Sequence, residues 1–300
     1  MNRVAQHPVK AFAAALAAVA VLSIMDAVMK GLVLAIGIFA VSIWRSIANL
    51  TLTGALYLPW RSAWPKPSTL RIHIGRGIVV MVMAALFFWG IGRVPLAQAI
   101  ALTFIAPLIA LLLASIFLHE EIGRKSIAGS FVAFAGVVVI VWGRARAEAG
   151  PEVLLGSAAI IGSALCYAVN IVLMRHQSLA AKPVEINFFQ SLTVLTLWLA
   201  AVPFVGFPDW PADQWHWVLV AALMSTGGGL LFSWAYARAE AQHLAPVEYT
   251  ALGWAVLFGI TVFHEPVRLL TLVGAAMIVA ACLYAARRRP APVADVEAAI

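Results

Sequence analysis

The sequence predicts an all-α membrane protein: ten transmembrane helices arranged as two inverted five-helix repeats, with both termini on the cytoplasmic side. Three observations carry this expectation. The composition suits lipid better than water, apolar runs of spanning length follow one another almost without a break, and the chain matches itself at a constant offset of 145 residues.

The 300 residues are 63% hydrophobic and 11% charged, with a mean hydropathy of +0.96. A soluble domain is about 45–50% apolar and about 25% charged, and it must keep a polar exterior. The two cysteines, Cys166 and Cys282, sit inside apolar runs, so neither a disulfide framework nor a CxxC or Cys/His metal spacing is suggested. The net charge of +7 lies in short connections between spans, which argues for membrane topology and against nucleic-acid binding. The opening MNRVAQHPVK and AFAAALAAVAVLSIM runs on without a cleavage site and reads as a retained first helix.

A span needs roughly 20 mostly apolar residues to cross about 30 Å of hydrocarbon. Such segments fall near 11–29, 32–59, 72–92, 95–118 and 126–143, and again near 153–174, 184–206, 214–237, 243–263 and 267–286. In lipid each must satisfy its own backbone, so each is expected to be helical. The longest connections carry Pro and Trp (PWRSAWPKP, 59–67; GFPDWPADQWHW, 206–217), and no soluble domain is left over. Lys and Arg in the connections set the orientation. With a cytoplasmic N-terminus, fourteen fall inside, Arg76 among them, and five outside, Lys30 among them; Arg45 lies within a span. Arg287 to Arg289 read as a topology anchor.

The offset of 145 needs no gaps. It lays Met29-Lys30 on Met174-Arg175, Trp89 on Trp234, Arg93 on Arg238, His119-Glu120 on His264-Glu265, and Arg144 on Arg289. Coincident Trp, Arg, His and Glu carry more weight than matches among Ala, Leu and Val. Five spans is an odd number, so the second unit must enter the membrane from the opposite side. Residues 1–147 form the expected first repeat (helices 1–5) and 148–300 the second (helices 6–10), ending in a short basic cytoplasmic tail. Inverted repeats of this kind mark secondary transporters that bind solute near the midplane between the halves.

At this point the sequence resembles the drug/metabolite transporter superfamily, and within it the ten-helix EamA family. The likeness covers nearly the whole chain. It is carried by IWRS around Arg45, by Arg76-Gly77, by AQAIALTFIAPLIALLLASIFLHEEI (97–122), by GSFVAFAGVVVI (129–140) and by LAPVEYTALGWAVLFGITVFHEPV (244–267). Pro107 to Glu120 is the family's Pro-to-FLxE stretch; the second copy departs from it at Leu252, where the family often has Pro. DAVMK (26–30) with APVEY (245–249) is most similar to a subgroup of S-adenosylmethionine or riboflavin uptake proteins. The resemblance implies movement of small organic solutes, amino-acid-like ones included, by alternating access without ATP hydrolysis. The chain independently lacks a GxxxxGK[ST] loop.

An ionisable side chain at the centre of a membrane helix costs roughly 2.5–3.5 kcal/mol on insertion scales, so each is a functional candidate. Asp26 has Lys30 one turn later, and the two read either as a structural pair near the outer helix end or as part of a solute site. Arg45 reads either as an interhelical tie, Asp26 being one partner, or as a solute contact. Glu248 follows Pro246, which frees backbone groups nearby, and it is the candidate for solute or proton contact; its repeat partner is the neutral Thr103. Trp89, Trp234, Phe104, Tyr249 and Asn170 are candidates to line a cavity for a planar or aromatic solute, with plain membrane core as the other reading. Gly227, Gly228 and Gly229 allow close helix approach or a hinge. His119, Glu120, His264 and Glu265 read as helix-end gates or packing anchors, with Pro107 and Pro246 as kink points.

No catalytic residue, metal or cofactor is expected, and HEEIG does not complete HExxH. The expected partners are a small-molecule solute, membrane lipid and, through Glu248, protons; the chain is read as a monomer or homodimer of the bacterial cytoplasmic (inner) membrane. The alternative is an intramembrane lipid-modifying enzyme. That would need a nucleophile–base or paired-carboxylate constellation, and the sequence offers scattered single ionisable groups.

Overall fold

The computed structural model describes residues 8–59, 64–106, 124–145, 150–236 and 250–286, with the single positions 109, 113, 238 and 247. All its regular structure is helical among the described residues: α1 (Pro8–Tyr57), α2 (Pro67–Ile91), α3 (Leu96–Thr103), α4 (Arg124–Ala145), α5 (Pro151–Ala180), α6 (Pro183–Leu199), α7 (Val202–Val205), α8 (Trp215–Tyr236), α9 (Thr250–Thr261) and α10 (Leu269–Ala286). Five stretches are long and apolar enough to cross a membrane: Lys10–Tyr57, Pro67–Ile91, Pro151–Met174, Pro183–Val205 and Trp215–Ala235. Thr250–Thr261 and Leu269–Ala281 are shorter apolar helices. Proline opens α2, α5 and α6, where its missing N–H costs nothing because the first-turn amides have no intrahelical partner.

α1 contains the first two expected spans. A straight helix of 50 residues would be about 75 Å long, more than twice the hydrocarbon thickness, so it has to break. It does so at Gly37, whose φ of 78° and ψ of 159° leave helical space. Only glycine reaches that conformation without strain. The expected turn near residues 30–31 is therefore seven residues too early, and Lys30 lies inside a helix rather than in a connection.

Contacts give each helix its direction. The first arm of α1 (8–36) runs antiparallel to α8: Leu22 meets Gly228, while Ala15 and Val19 share a buried cluster with Ala235. The second arm (38–57) runs parallel to α8, with Trp44 against Trp210 and Asn49 accepting hydrogen bonds from Ser225 and Thr226. That arm is antiparallel to α6, through Phe39–Trp198 and Tyr57–Phe188. α6 lies parallel to α2, through His73–Glu185 and Gly77–Thr193. α2 is antiparallel to α5, with Gly90 on Ile160 and Arg76 on Asn170 and Gln177. It follows that the first arm and α5 run in opposite senses, as do the second arm and α6, and α2 and α8. α4 and α10 meet at Gly136 and Gly274, where a Cβ on either glycine would lie 2.6–2.7 Å from the other's carbonyl oxygen.

Candidate functional site

The first arm buries a stripe at helical spacing: Ala15, Val19, Ser23 and Lys30 are all 6% exposed or less. Asp26 belongs to that stripe, between Ser23 and Lys30, yet it is only half-buried. A side chain on an inward face that keeps some exposure borders interior space. Arg45 comes from the second arm, brought back by the reversal at Gly37. It is 8% exposed, and its guanidinium sits 5.0 Å from the centroid of the Phe88 ring on α2. Its Nε has no hydrogen-bond partner. Asp26 and Arg45 stand on the two arms of α1, and no hydrogen bond or ion pair within 4 Å joins them among the described residues. The interhelical tie that the sequence suggests is therefore not made as a direct bond there.

Lys30, read as the partner of Asp26, goes to Glu265 and to the carbonyl of Val94, the latter at 2.8 Å. Glu265 in turn accepts from the Leu96 N–H at 2.9 Å. That amide opens α3, where first-turn N–H groups lack helical partners and carry partial positive charge. One carboxylate therefore holds a helix end from the first half of the chain and a buried ammonium from the same half. His264 takes a left-handed φ of 51°, which makes the turn, and the Glu265 N–H donates to the Gly259 carbonyl at 2.8 Å. In this copy of the motif His264 shapes the turn and Glu265 makes the contact. The first copy, His119 and Glu120, lies outside the described residues, as do Glu248, Tyr249, Pro107 and Pro246.

A second polar cluster was not visible in the sequence. Arg76 donates through Nε to Asn170 Oδ1 at 2.8 Å and through Nη1 to Gln177 Oε1 at 2.6 Å. Gln177 is bonded to His73 Nδ1, and His73 Nε2 lies 3.1 Å from Glu185 Oε1, with the imidazole stacked on Phe189. Arg76, His73, Asn170 and Gln177 are all 6% exposed or less. The sequence reading counted Arg76 as a connection charge and Lys30 likewise; both are buried and leave the topology count, one from each side. Asn170, read as a cavity residue, is held by Arg76.

The remaining candidates are spread out. Trp89 is covered by the Arg93 guanidinium at 3.6 Å, and Trp234 by that of Arg238 at 4.1 Å; each arginine also donates to its tryptophan's own carbonyl. This is one local motif written twice at the 145 offset, and it occupies a face of each indole. Phe104 is buried in the same apolar cluster as Phe88. α8 is continuous through Gly227, Gly228 and Gly229. A Cβ on Gly228 would meet Leu22 at 2.6 Å and one on Gly229 would meet Asn187 Oδ1 at 2.6 Å, while Gly227 faces open space. No metal-binding cluster occurs among the described residues.

This architecture belongs with membrane transport proteins. The chain is a member of the EamA-like transporter family, which matches it twice, over residues 9–142 and 154–287. It is similar to the riboflavin transporter of Brucella anthropi, with 25% identity over 256 residues covering 83% of this chain and 87% of that protein. It is also similar to the S-adenosylmethionine uptake transporter of Rickettsia bellii, with 25% identity over 227 residues and 73% of each chain covered. A solved crystal structure superposes with a TM-score of 0.63 at 19% identity, covering 93% of this chain and 99% of that one, a likeness of fold alone.

Proposed function

We propose that this protein is a secondary transporter that moves a small organic metabolite across the bacterial cytoplasmic membrane by alternating access between two inverted repeats, 1–147 and 148–300. The observation that carries the reading is a half-buried Asp26 and a buried Arg45 on the two arms of one helical hairpin, with no direct bond between them and the Arg45 Nε unpaired. An uncompensated charge at membrane depth is costly, and such groups mark solute and ion pathways. The opposite senses of the repeat-related helices support the inversion. The solutes named for the relatives, riboflavin and S-adenosylmethionine, are the first ones to try.

The Lys30–Glu265 contact supports a gate. It ties the first arm and the start of α3 to the connection between α9 and α10, so it joins the two repeats at one end of the bundle. The 145 offset assigns Arg175 and Glu120 to the matching gate at the other end. Glu248 takes the role of coupling carboxylate, binding a proton or a cationic solute group.

The test is expression in a host lacking the protein, with metabolites measured by mass spectrometry in cells and medium, and Glu248→Gln run alongside. A metabolite that redistributes across the membrane supports transport and shows its direction; loss of that shift in Glu248→Gln supports the coupling role. A changed lipid profile with no solute shift would overturn the reading in favour of an intramembrane enzyme.

A further inference from the structure

Resting on the transport reading, the geometry points to His73 as a proton-binding group that locks one end of the helix bundle and, when protonated, releases it. Each side-chain contact of the polar cluster around His73 crosses between the proposed repeats. His73 and Arg76 belong to 1–147, whereas Asn170, Gln177 and Glu185 belong to 148–300. The contacts are Arg76–Asn170, Arg76–Gln177, Gln177–His73 and His73–Glu185. The cluster stands near the start of α2, while Lys30 holds the Val94 carbonyl just past the end of that helix. From His73 to Ile91 the helix rises about 27 Å, so the two ties between repeats lie at opposite ends. Repeats that rock to alternate access must part at one end while they stay together at the other. A tie at either end therefore needs something that undoes it.

The donors and acceptors of the cluster fix where the ring carries its proton. A guanidinium only donates, and Arg76 Nη1 lies 2.6 Å from Gln177 Oε1. The oxygen of that amide therefore faces Arg76, and its nitrogen faces His73 Nδ1. An amide nitrogen only donates as well, so Nδ1 accepts and is bare. The single proton of the neutral imidazole then sits on Nε2, which donates to Glu185 Oε1 at 3.1 Å. A proton arriving at Nδ1 sets two donors against each other. If the Gln177 amide turns over to accept from the ring, its nitrogen meets the Arg76 guanidinium, and two donors oppose each other there. Either way the connection through α5 loses a hydrogen bond among side chains that are 6% exposed or less. The bond from Nε2 to Glu185 meanwhile becomes charged on both sides, hence stronger. Protonation trades the tie between α2 and α5 for one between α2 and α6.

The other titratable groups nearby, among the described residues, leave this logic intact. Arg76 stands one turn along α2 and is held by Asn170 as well as Gln177. On α6, Lys182 is exposed at the opening of the helix and Glu185 alone reaches the ring. Tyr57, from the second arm of α1, meets the edge of the Phe189 ring on which the imidazole stacks. Tyr167 lies on α5 about 15 Å along the helix from Gln177, and α3 carries no titratable side chain. Histidine is the side chain whose charge changes between about pH 5 and pH 8, so that is the window in which the lock is expected to respond.

The test is hydrogen–deuterium exchange of the purified full-length chain in lipid nanodiscs from pH 8 to pH 5, each rate being divided by that of the unfolded peptide at the same pH. Exchange over residues 170–180 of α5 is expected to rise at least about tenfold on acidification, the consequence of a buried group losing its partner. α4 and α10, which meet at Gly136 and Gly274, are expected to hold steady. His73→Gln keeps a donor and an acceptor but takes no proton, so it abolishes the rise. Glu185→Gln removes the charge that favours the imidazolium, so the midpoint moves to lower pH. If His73→Gln does not fold, the wild-type profile and the Glu185→Gln midpoint decide. A flat wild-type profile, an equal rise in α4 and α10, a rise that survives His73→Gln, or an unmoved midpoint in Glu185→Gln would overturn the assignment. Liposome flux of riboflavin, S-adenosylmethionine and a host metabolite extract separates the lock from the transport reading. Loosening of α5 without flux of any of them sinks transport and leaves the lock, whereas flux with a flat profile sinks the lock and leaves transport.

Discussion

The α2–α5 pair and the pair made by α8 with the first arm of α1 occupy equivalent positions 145 residues apart, and they meet in the same register. Gly90 packs on Ile160 in one, and the equivalents Ala235 and Ala15 share a buried cluster in the other. The chemistry is opposite. Where α2 and α5 carry His73, Arg76, Asn170 and Gln177, the other pair carries Val218, Ala221, Met25 and Leu32, all in one apolar cluster. Backbone register survived the duplication because small residues at the crossing let helices approach, and van der Waals packing is what drives association in lipid. Side-chain polarity was free to diverge above that register. An apolar contact can slip without orphaning a donor, whereas a polar network holds one arrangement. The polar pair is therefore the rigid one, and the arm bearing Asp26 is one helix of the compliant one.

The strongest way to break this contrast is Arg76→Ala. It leaves Asn170 Oδ1 and Gln177 Oε1 buried without their donor, and a loss of about 3 kcal/mol is expected, the sum of two buried unsatisfied groups. The equivalent Ala221→Gly should cost about 1 kcal/mol, mainly through helix propensity. Chemical unfolding in detergent micelles measures both, and equal losses would end the claim that one interface is the rigid one.

Next in size is the Lys30–Glu265 contact. Lys30→Met leaves the Glu265 carboxylate with the Leu96 N–H and no counter-charge, and Glu265→Gln leaves the buried ammonium with the Val94 carbonyl and no counter-charge; each should cost about 2 kcal/mol, with the double variant recovering most of it. Additive losses in that double-mutant cycle would mean that Lys30 and Glu265 do not depend on each other. Gly90→Ala follows, at about 1.5 kcal/mol, because its new Cβ would stand 2.6 Å from Ile160 Cδ1, and overpacking of this kind costs about 1–3 kcal/mol. Ile160→Val should relieve part of it if the clash is the cause.

The smallest effect sharpens the comparison from the other side. Arg93→Gln and Arg238→Gln remove the two copies of the arginine–tryptophan stack, and each should cost about 0.5–1 kcal/mol, Arg93→Gln the more because Arg93 also donates to Glu152 Oε2 at 2.7 Å. Equal midpoints for the two variants would show that this exposed ion pair adds nothing to the stack.

Periodicity and spacing made much of this visible in advance. Spanning runs announce themselves because lipid demands long apolar helices, and the duplication is legible because Trp, Arg, His and Glu are rare enough in such a chain to mark an offset. Asp26 and Arg45 stood out for the same reason of rarity. The network of His73, Gln177 and Glu185 did not, since it joins α2, α5 and α6 across about a hundred residues and has no echo in the other repeat. Lys30 was matched to Asp26 because helical spacing sees neighbours one turn away and cannot see a connection 235 residues downstream.

By itself, then, the sequence determined the solvent, the helical class, the doubling and the short roll of charged candidates, all consequences of local composition and period. Tertiary structure decided where α1 breaks, which charges close on one another and which stay apart. Those outcomes depend on which helices meet: the reversal at Gly37 puts Arg45 and Asp26 on different arms, and the turn at His264 carries Glu265 to Lys30.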